Sequence, residues 1–287
     1  FLLIYFCNAF LIGVNMVQNF QMPTRKQNSN KGTFGKVLNF AGSKNYIGAS
    51  YLSTIAPLKV GAGFVALASE SDIIHSVSTL LPEAVYLTRE EGLEKLDEFS
   101  VILVGCGLGL DKKSFDLFEN VIAKIQNKQT PLIVDADGLN ILAKNKIELP
   151  PNTIITPHPL EASRLLNIDL KDVLYNLEEC AKKMSEKYNC TAILKTHRTI
   201  VCQKDKIYKN QHGNSALAKA GSGDVLAGII AGLVAQKMDL FEAAKLGVYL
   251  HSRTGEIASN ELTEYSVLAS DLPKYIHLAI KEILNDR

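Results

Sequence analysis

Two kinds of apolar spacing alternate along the chain. Short, continuous apolar runs such as VILV at 101–104 and PLIV at 131–134 have no polar face, as expected of strands covered on both sides. The runs at 36–40, 64–68, 153–155, 192–194 and 200–203 are also read as strands, on their β-branched and apolar content. Between them, apolar residues recur every three or four positions and predict helices over 49–60, 112–127, 159–166, 171–188, 225–236, 240–259 and 268–284. Within 171–188 the stripe is Leu174, Leu177, Ala181, Met184 and Tyr188. Strands alternating with helices define an α/β fold, with a mostly parallel central sheet and helices on both faces. No linker, repeat or low-complexity tract follows Lys31, so residues 22–287 read as one domain. Ligands of such sheets sit beyond the carboxyl ends of the strands. The residues that follow each strand are therefore the ones to search.

The opening segment is different in kind. Residues 1–21 begin FLLIYFCNAF, and no charge occurs before Arg25. The run is slightly short of the roughly 20 apolar residues that span a bilayer. It also lacks the basic start and small-residue cleavage site of a secretory signal. Its remaining reading is the remnant of a preceding domain, so it is set down as an apolar leader or such a remnant.

Composition narrows the partners. Of 287 residues, 47% are hydrophobic and 21% charged, and 31 basic against 30 acidic residues leave a net charge of +1. So even a balance provides no field for nucleic acid or an anionic membrane surface, and neither is expected as a partner. Five cysteines, at 7, 106, 180, 190 and 202, show neither CxxC nor Cys/His spacing. That argues against a disulfide framework and a structural zinc, and favours a reducing, cytoplasmic location.

The sharpest chemical segment is GNSALAKAGSGDVLAGIIAGLVAQ, at 213–236. The turn Gly221-Ser222-Gly223 leads into Asp224 and a helix of small residues. Backbone N–H groups at a helix start carry partial positive charge and suit a phosphate, and glycines allow it close approach. Asp224 stands at the mouth of that anion hole, where a carboxylate can take a proton from a hydroxyl attacking phosphorus. It could also simply cap the helix. Asp135 and Asp137 follow a buried strand and point the same way. They could hold a metal or a substrate hydroxyl, and Asp137 reads more simply as a cap. His158, Pro159 and Glu161 make a good helix start, in which Glu161 can be purely structural. Lys195 ends a strand, where it could neutralise phosphate or merely be solvated. His251 reads as a packed or capping histidine. Gly105, Gly107 and Gly109 are spaced GxGxG rather than GxGxxG, which excludes a Rossmann dinucleotide site. No Walker A spacing occurs.

Together these segments resemble the ADP/ATP-dependent NAD(P)H-hydrate dehydratases, a ribokinase-like family. The resemblance covers KGTFGKVLNFAGSKNYIGASYLSTIAPLKVGAGFVAL (31–67), PEAV (82–85), VGCGLGL (104–110), PLIVDADGLNIL (131–142), TPHPLEASRLL (156–166), the GSGD segment and ASDLPKYI (269–276), in that order. It implies dehydration of (6S)-NAD(P)HX, NADHX or NADPHX, back to NAD(P)H with ADP or ATP as co-substrate and Mg2+ as cofactor. AMP or ADP and phosphate are the further products. Asp224 would be the base, with Ala49, Gly107, His158 and Asp224 on the substrate. Lys195, Thr196, His197, Arg198, Thr199 and Gly223 would hold the nucleotide. No complete set of metal ligands is readable. The family also suggests a homotetramer and an epimerase as partner or fused domain. Two residues depart from its pattern: Cys106 stands for the usual Pro, and Thr196 for the usual Gly, which puts nucleotide affinity or choice in question. The alternatives kept are a ribokinase-like kinase for a vitamin precursor and a non-catalytic nucleotide-binding relative.

Overall fold

The computed structural model describes residues 20–285; most of the apolar opening segment, and Cys7 with it, lies outside them. Nine strands form one sheet. They are β1 (Lys36–Phe40), β2 (Phe64–Ser69), β3 (Val85–Thr88), β4 (Val101–Val104), β5 (Leu132–Val134), β6 (Thr153–Ile155), β7 (Thr191–Leu194), β8 (Ile200–Gln203) and β9 (Lys206–Lys209). Their spatial order is β3-β2-β1-β4-β5-β6-β7-β8-β9. Pairing is parallel as far as β7, and β8 and β9 return antiparallel. The α/β expectation is met.

Each face of the sheet carries its own core. Val101 and Leu103 face one side while Ile102 and Val104 face the other, and all four are fully buried. That double burial is why the run contains no polar residue. The helices on the first face are α1 (Ile47–Lys59), α2 (Ser71–Ser78), α9 (Ser222–Ala235), α10 (Leu240–Ser266) and α11 (Leu272–Asn285). On the second lie α4 (Lys112–Ile125), α5 (Asp137–Lys144), α6 (Pro159–Leu166), α7 (Leu170–Tyr175) and α8 (Leu177–Lys187). The short α3 (Arg89–Glu94) follows β3. Among the described residues, no helix is long and apolar enough to cross a membrane.

The small residues of α9 reflect close packing rather than phosphate chemistry. A Cβ at Gly228 would lie 2.8 Å from Ala56 Cβ and from the Ser53 carbonyl, and one at Gly232 would lie 2.5 Å from Val60 Cγ2. The α9 axis is thus pressed against α1, and its first turn is carried on a rigid pair of helices.

Several expectations need revision. The edge strands β3 and β9 escaped notice because each buries one residue, Leu87 or Tyr208, among exposed and half-buried ones, with no continuous apolar run. The helix expected over 171–188 is two helices, broken at Asn176, so Leu174 leaves the expected apolar stripe and is 54% exposed. The short helices α2, α3 and α5 are shorter than the windows in which helical periodicity shows.

Candidate active site

The strand order reverses between β1 and β4, with β2 continuing to one side and β5 to the other. A crevice opens at such a switch point, beyond the carboxyl ends of the strands. Two turns meet there: Gly42, after β1, donates its N–H to the Cys106 carbonyl, after β4, at 2.9 Å. Gly107 takes a φ of +59°, and a Cβ there would sit 2.6 Å from Tyr46 Cβ and 2.8 Å from Ala49 Cβ. Only glycine lets this turn lie against the start of α1. Ala49 and Gly107, far apart in sequence, thus share one wall.

The Asp-Ala-Asp segment after β5 bends through Ala136, a non-glycine residue at φ +47° and ψ −114°. Backbone in such a region costs about 1–3 kcal/mol and is held only where surroundings impose it. The bend sends the two carboxylates to different tasks. Asp137 accepts the Gly109 N–H at 2.8 Å, fixing the glycine turn rather than capping α5 as expected. Asp135 is buried and accepts from Lys195 Nζ at 2.7 Å and Thr156 Oγ1 at 2.6 Å. Lys195 is therefore not a solvated strand end. Burial lowers its pKa, but the carboxylates of Asp135 and Glu161 raise it further, and the ammonium is held above its ordinary value.

His158 is the N-cap of α6. Its Nδ1 accepts from the N–H groups of Leu160 and Glu161 at 3.2 and 3.3 Å, while Glu161 Oε2 accepts the His158 N–H at 2.8 Å. That reciprocal capping assigns the proton to Nε2, which faces Glu161 Oε1 at 3.4 Å. Burial, with Lys195 nearby, lowers the His158 pKa and keeps the ring neutral. Burial raises that of Glu161. The structural role foreseen for Glu161 is present, beside a histidine whose ring is half-exposed.

Gly221, at φ +92°, turns the chain into α9. The N–H groups of Gly223 and Asp224 meet no acceptor among the described residues. Gly223 lies beside the cation of Lys195: a Cβ on it would lie 3.3 Å from Lys195 Nζ. The Asp224 carboxylate converges with Asp135 and the Cys106 thiol, their ligand atoms all within 4.8 Å of one another. Cys106 donates to Asp135 Oδ2 at 3.7 Å. Burial, then repulsion from Asp135, pushes Asp224 up to about 7, despite the opposing effects of Cys106 and Lys195. Burial and the same two carboxylates hold Cys106 well above the usual thiol range, so it stays protonated. The donor set does not suit direct Mg2+ ligation: a thiol is soft, and Asp135 is already engaged by Lys195 and Thr156.

The loop Lys195–Thr199 joins β7 to β8. Thr196 Oγ1 accepts the Arg198 N–H at 3.2 Å, and Thr199 Oγ1 donates to the Thr196 carbonyl at 3.0 Å. Thr196 does not adopt left-handed backbone, so its Cβ causes no strain there. His197 and Arg198 are exposed, with Arg198 bonded to the Gln211 carbonyl. The structure thus gathers Asp224, Gly223 and Lys195 around one point, with His158 beside Lys195. It sets Ala49 against Gly107 and leaves His197 and Arg198 at the rim. The sequence did not single out Thr156 or the thiol of Cys106 as members of the cluster. The signal available was that both follow buried strands.

An anion hole at a helix start, a buried carboxylate at its mouth and a lysine across from it, on a largely parallel sheet, define a ribokinase-like α/β protein. Comparison with known proteins then resolves the family. The model of the NAD(P)H-hydrate dehydratase family matches residues 37–278, and the chain belongs to that family. It is 36% identical over 240 residues to the ADP-dependent (S)-NAD(P)H-hydrate dehydratase of Neisseria meningitidis, covering 81% of this chain and 80% of the relative. It is 34% identical to the bifunctional NAD(P)H-hydrate repair enzyme of Moorella thermoacetica, covering 92% of this chain and 52% of the relative. The chain thus spans about half the length of such bifunctional relatives. Among solved structures, the ADP/ATP-dependent NAD(P)H-hydrate dehydratase of Bacillus subtilis, co-crystallised with ATP and Mg2+, superposes with a TM-score of 0.81 at 28% identity. That match covers 91% of this chain and 94% of the other.

Proposed function

We propose that this chain dehydrates (6S)-NADHX and (6S)-NADPHX to NADH and NADPH, with ADP or ATP as phosphoryl donor. The observation that carries the proposal is Asp224, raised to about 7 at the mouth of an anion hole. A base is most effective with a pKa near the working pH. Asp224 takes the proton of the ring hydroxyl, and the hydroxyl oxygen attacks the terminal phosphorus of the nucleotide. The bond to the leaving AMP or ADP breaks as the new P–O bond forms. The phosphorylated ring then loses phosphate, pushed by the ring nitrogen, and loss of a proton from the adjacent carbon restores the double bond. Phosphoryl transfer depends mainly on positioning and charge stabilisation. Here the N–H groups of Gly223 and Asp224 and the Lys195 ammonium would supply it, with Ala49, Gly107 and His158 around the nicotinamide ring. The loop Lys195–Thr199 would hold the nucleotide. Mg2+ would be carried in by the nucleotide phosphates, where it would offset their charge with few protein ligands of its own. The reading includes a homotetramer and an epimerase, separate or fused. It also places the chain in the cytoplasm, where the free thiols of Cys106, Cys180, Cys190 and Cys202 persist.

The test incubates purified protein with NADHX, Mg2+ and either nucleotide, and follows the absorbance of reduced nicotinamide. Recovery that requires a nucleotide supports the reading and names the donor. A stable phosphorylated product without recovery would move the chain to the small-molecule kinases. In a folded, nucleotide-binding sample, no reaction would make it a non-catalytic relative.

Thr196→Gly bears on the nucleotide side. Because Thr196 braces its loop without strain, glycine would free the loop rather than correct it. We expect ADP affinity to fall by about threefold to tenfold, the equivalent of one lost local hydrogen bond. Titration calorimetry checks this. Tighter binding in the glycine variant would mean that the threonine obstructs the nucleotide.

A further inference from the structure

We propose that His251 is a positioning residue for the phosphate turn, setting the direction of the Gly223 N–H through the peptide bond that precedes it. The inference rests on the phosphoryl-transfer reading of that turn, but not on the identity of the acceptor.

His251 lies in the middle of α10, buried, and reaches across to the first residue of α9. Its Nε2 lies 2.9 Å from the Ser222 carbonyl oxygen and 3.0 Å from Ser222 Oγ. A carbonyl only accepts, so Nε2 carries the proton and donates it. Burial pushes the ring down to about 4, so it is neutral at working pH and the donor is always present.

The consequence follows from peptide geometry. The Ser222 carbonyl and the Gly223 N–H belong to one planar unit and point in opposite directions. A donor that fixes the carbonyl on the α10 side fixes the N–H on the other. Lys195 Nζ and the Asp135 carboxylate lie close to Gly223, 3.3 and 3.9 Å from where a Cβ on it would stand. The Ser222 carbonyl also takes an intrahelical bond at the start of α9, so the ring is a second anchor for this turn. It begins at a left-handed glycine, has no side-chain cap, and Gly223 adds no Cβ to restrict rotation. Ser222 is itself buried, and its hydroxyl is held by the same ring rather than turned toward the anion site. His251 touches neither substrate nor nucleotide in this account, and acts only through Ser222.

The test compares His251→Leu, which keeps bulk and removes the donor, with His251→Gln, whose amide can place an N–H near the position of Nε2. ADP affinity by calorimetry and kcat with NADHX are both read, alongside thermal melts. The leucine variant is expected to bind ADP about tenfold more weakly or worse, and to lose more in kcat than in the KM for NADHX, since misaimed donors matter most where charge develops. The glutamine variant should recover most of both. If the leucine variant binds and turns over like the parent, the inference fails. It fails equally if both variants melt like the parent and are equally impaired, which would indicate packing alone. Should the parent bind ADP with the same dependence on residue 251 but never restore NADH, the positioning role stands and the dehydratase reading falls.

Discussion

Asp224→Asn is expected to bind ADP within a few-fold of the parent and to turn over about 10²- to 10⁴-fold more slowly, the usual contribution of a positioned base. The amide fills the same space but cannot take the hydroxyl proton. The base works ionised, and burial beside Asp135 raises its pKa to about 7. Parent activity should therefore fall as pH drops below about 7, and the residual activity of the variant should lack that limb. The same shift acts on stability with a definite sign. The unfolded chain releases this proton near pH 4, whereas the folded chain keeps it to about 7. Between those values the folded state binds more protons, so the parent loses stability as pH rises, and the penalty is complete above about 7. The asparagine variant carries no such penalty, so it should melt higher than the parent at pH 8 and about equally at pH 4. Parent-like turnover in this variant would remove Asp224 as the base, whatever the melts show.

The second large effect is expected from Lys195→Met. Only 19% of the Lys195 side chain is exposed, and its partner Asp135 is 2% exposed at 2.7 Å. Removing the cation leaves a buried carboxylate whose side-chain donors, among the described residues, are the Thr156 hydroxyl and the Cys106 thiol. Breaking one side of a buried pair costs about 3–5 kcal/mol. For a chain of this size, that corresponds to a melting temperature lower by roughly 10 °C. Adding Asp135→Asn should recover much of the loss, because the unpaired charge goes with it. A double-mutant cycle by denaturant titration measures that coupling. If Lys195→Met melts within a degree of the parent, the pair is not the constraint that the geometry describes. A double variant as unstable as the sum of the singles would show that packing, not charge, holds this corner.

Much of this was legible in the chain, because parallel strands buried on both faces leave a continuous apolar signature. β4 and β5 read directly, whereas β3 and β9 did not: an edge strand needs only one good face, and VYLT and KIYK mix exposed with buried positions. The phosphate turn was legible because a glycine pair before an aspartate constrains backbone locally. The pairing of Asp135 with Lys195 was not, since it joins residues 60 positions apart through the order of three neighbouring strands. Asp137 was misread for a related reason. Capping is a local explanation, and the actual partner, Gly109, comes from the turn after the adjacent strand. Thr196 illustrates the converse: the glycine that the family resemblance leads one to expect is not required here, because the backbone at that position is not left-handed.

The antiparallel return of β8 has a practical consequence. Leu194 and Ile200 are cross-strand partners, so the five residues between them begin and end at fixed, adjacent points. Lys195 is further tied to the sheet by its N–H bond to the Pro157 carbonyl at 2.8 Å. The segment from Thr196 to Thr199 is therefore an exchangeable cassette. It could be lengthened, shortened or randomised in a library while the strands on either side kept their register, so the proposed link between this loop and nucleotide choice can be probed without rebuilding the sheet.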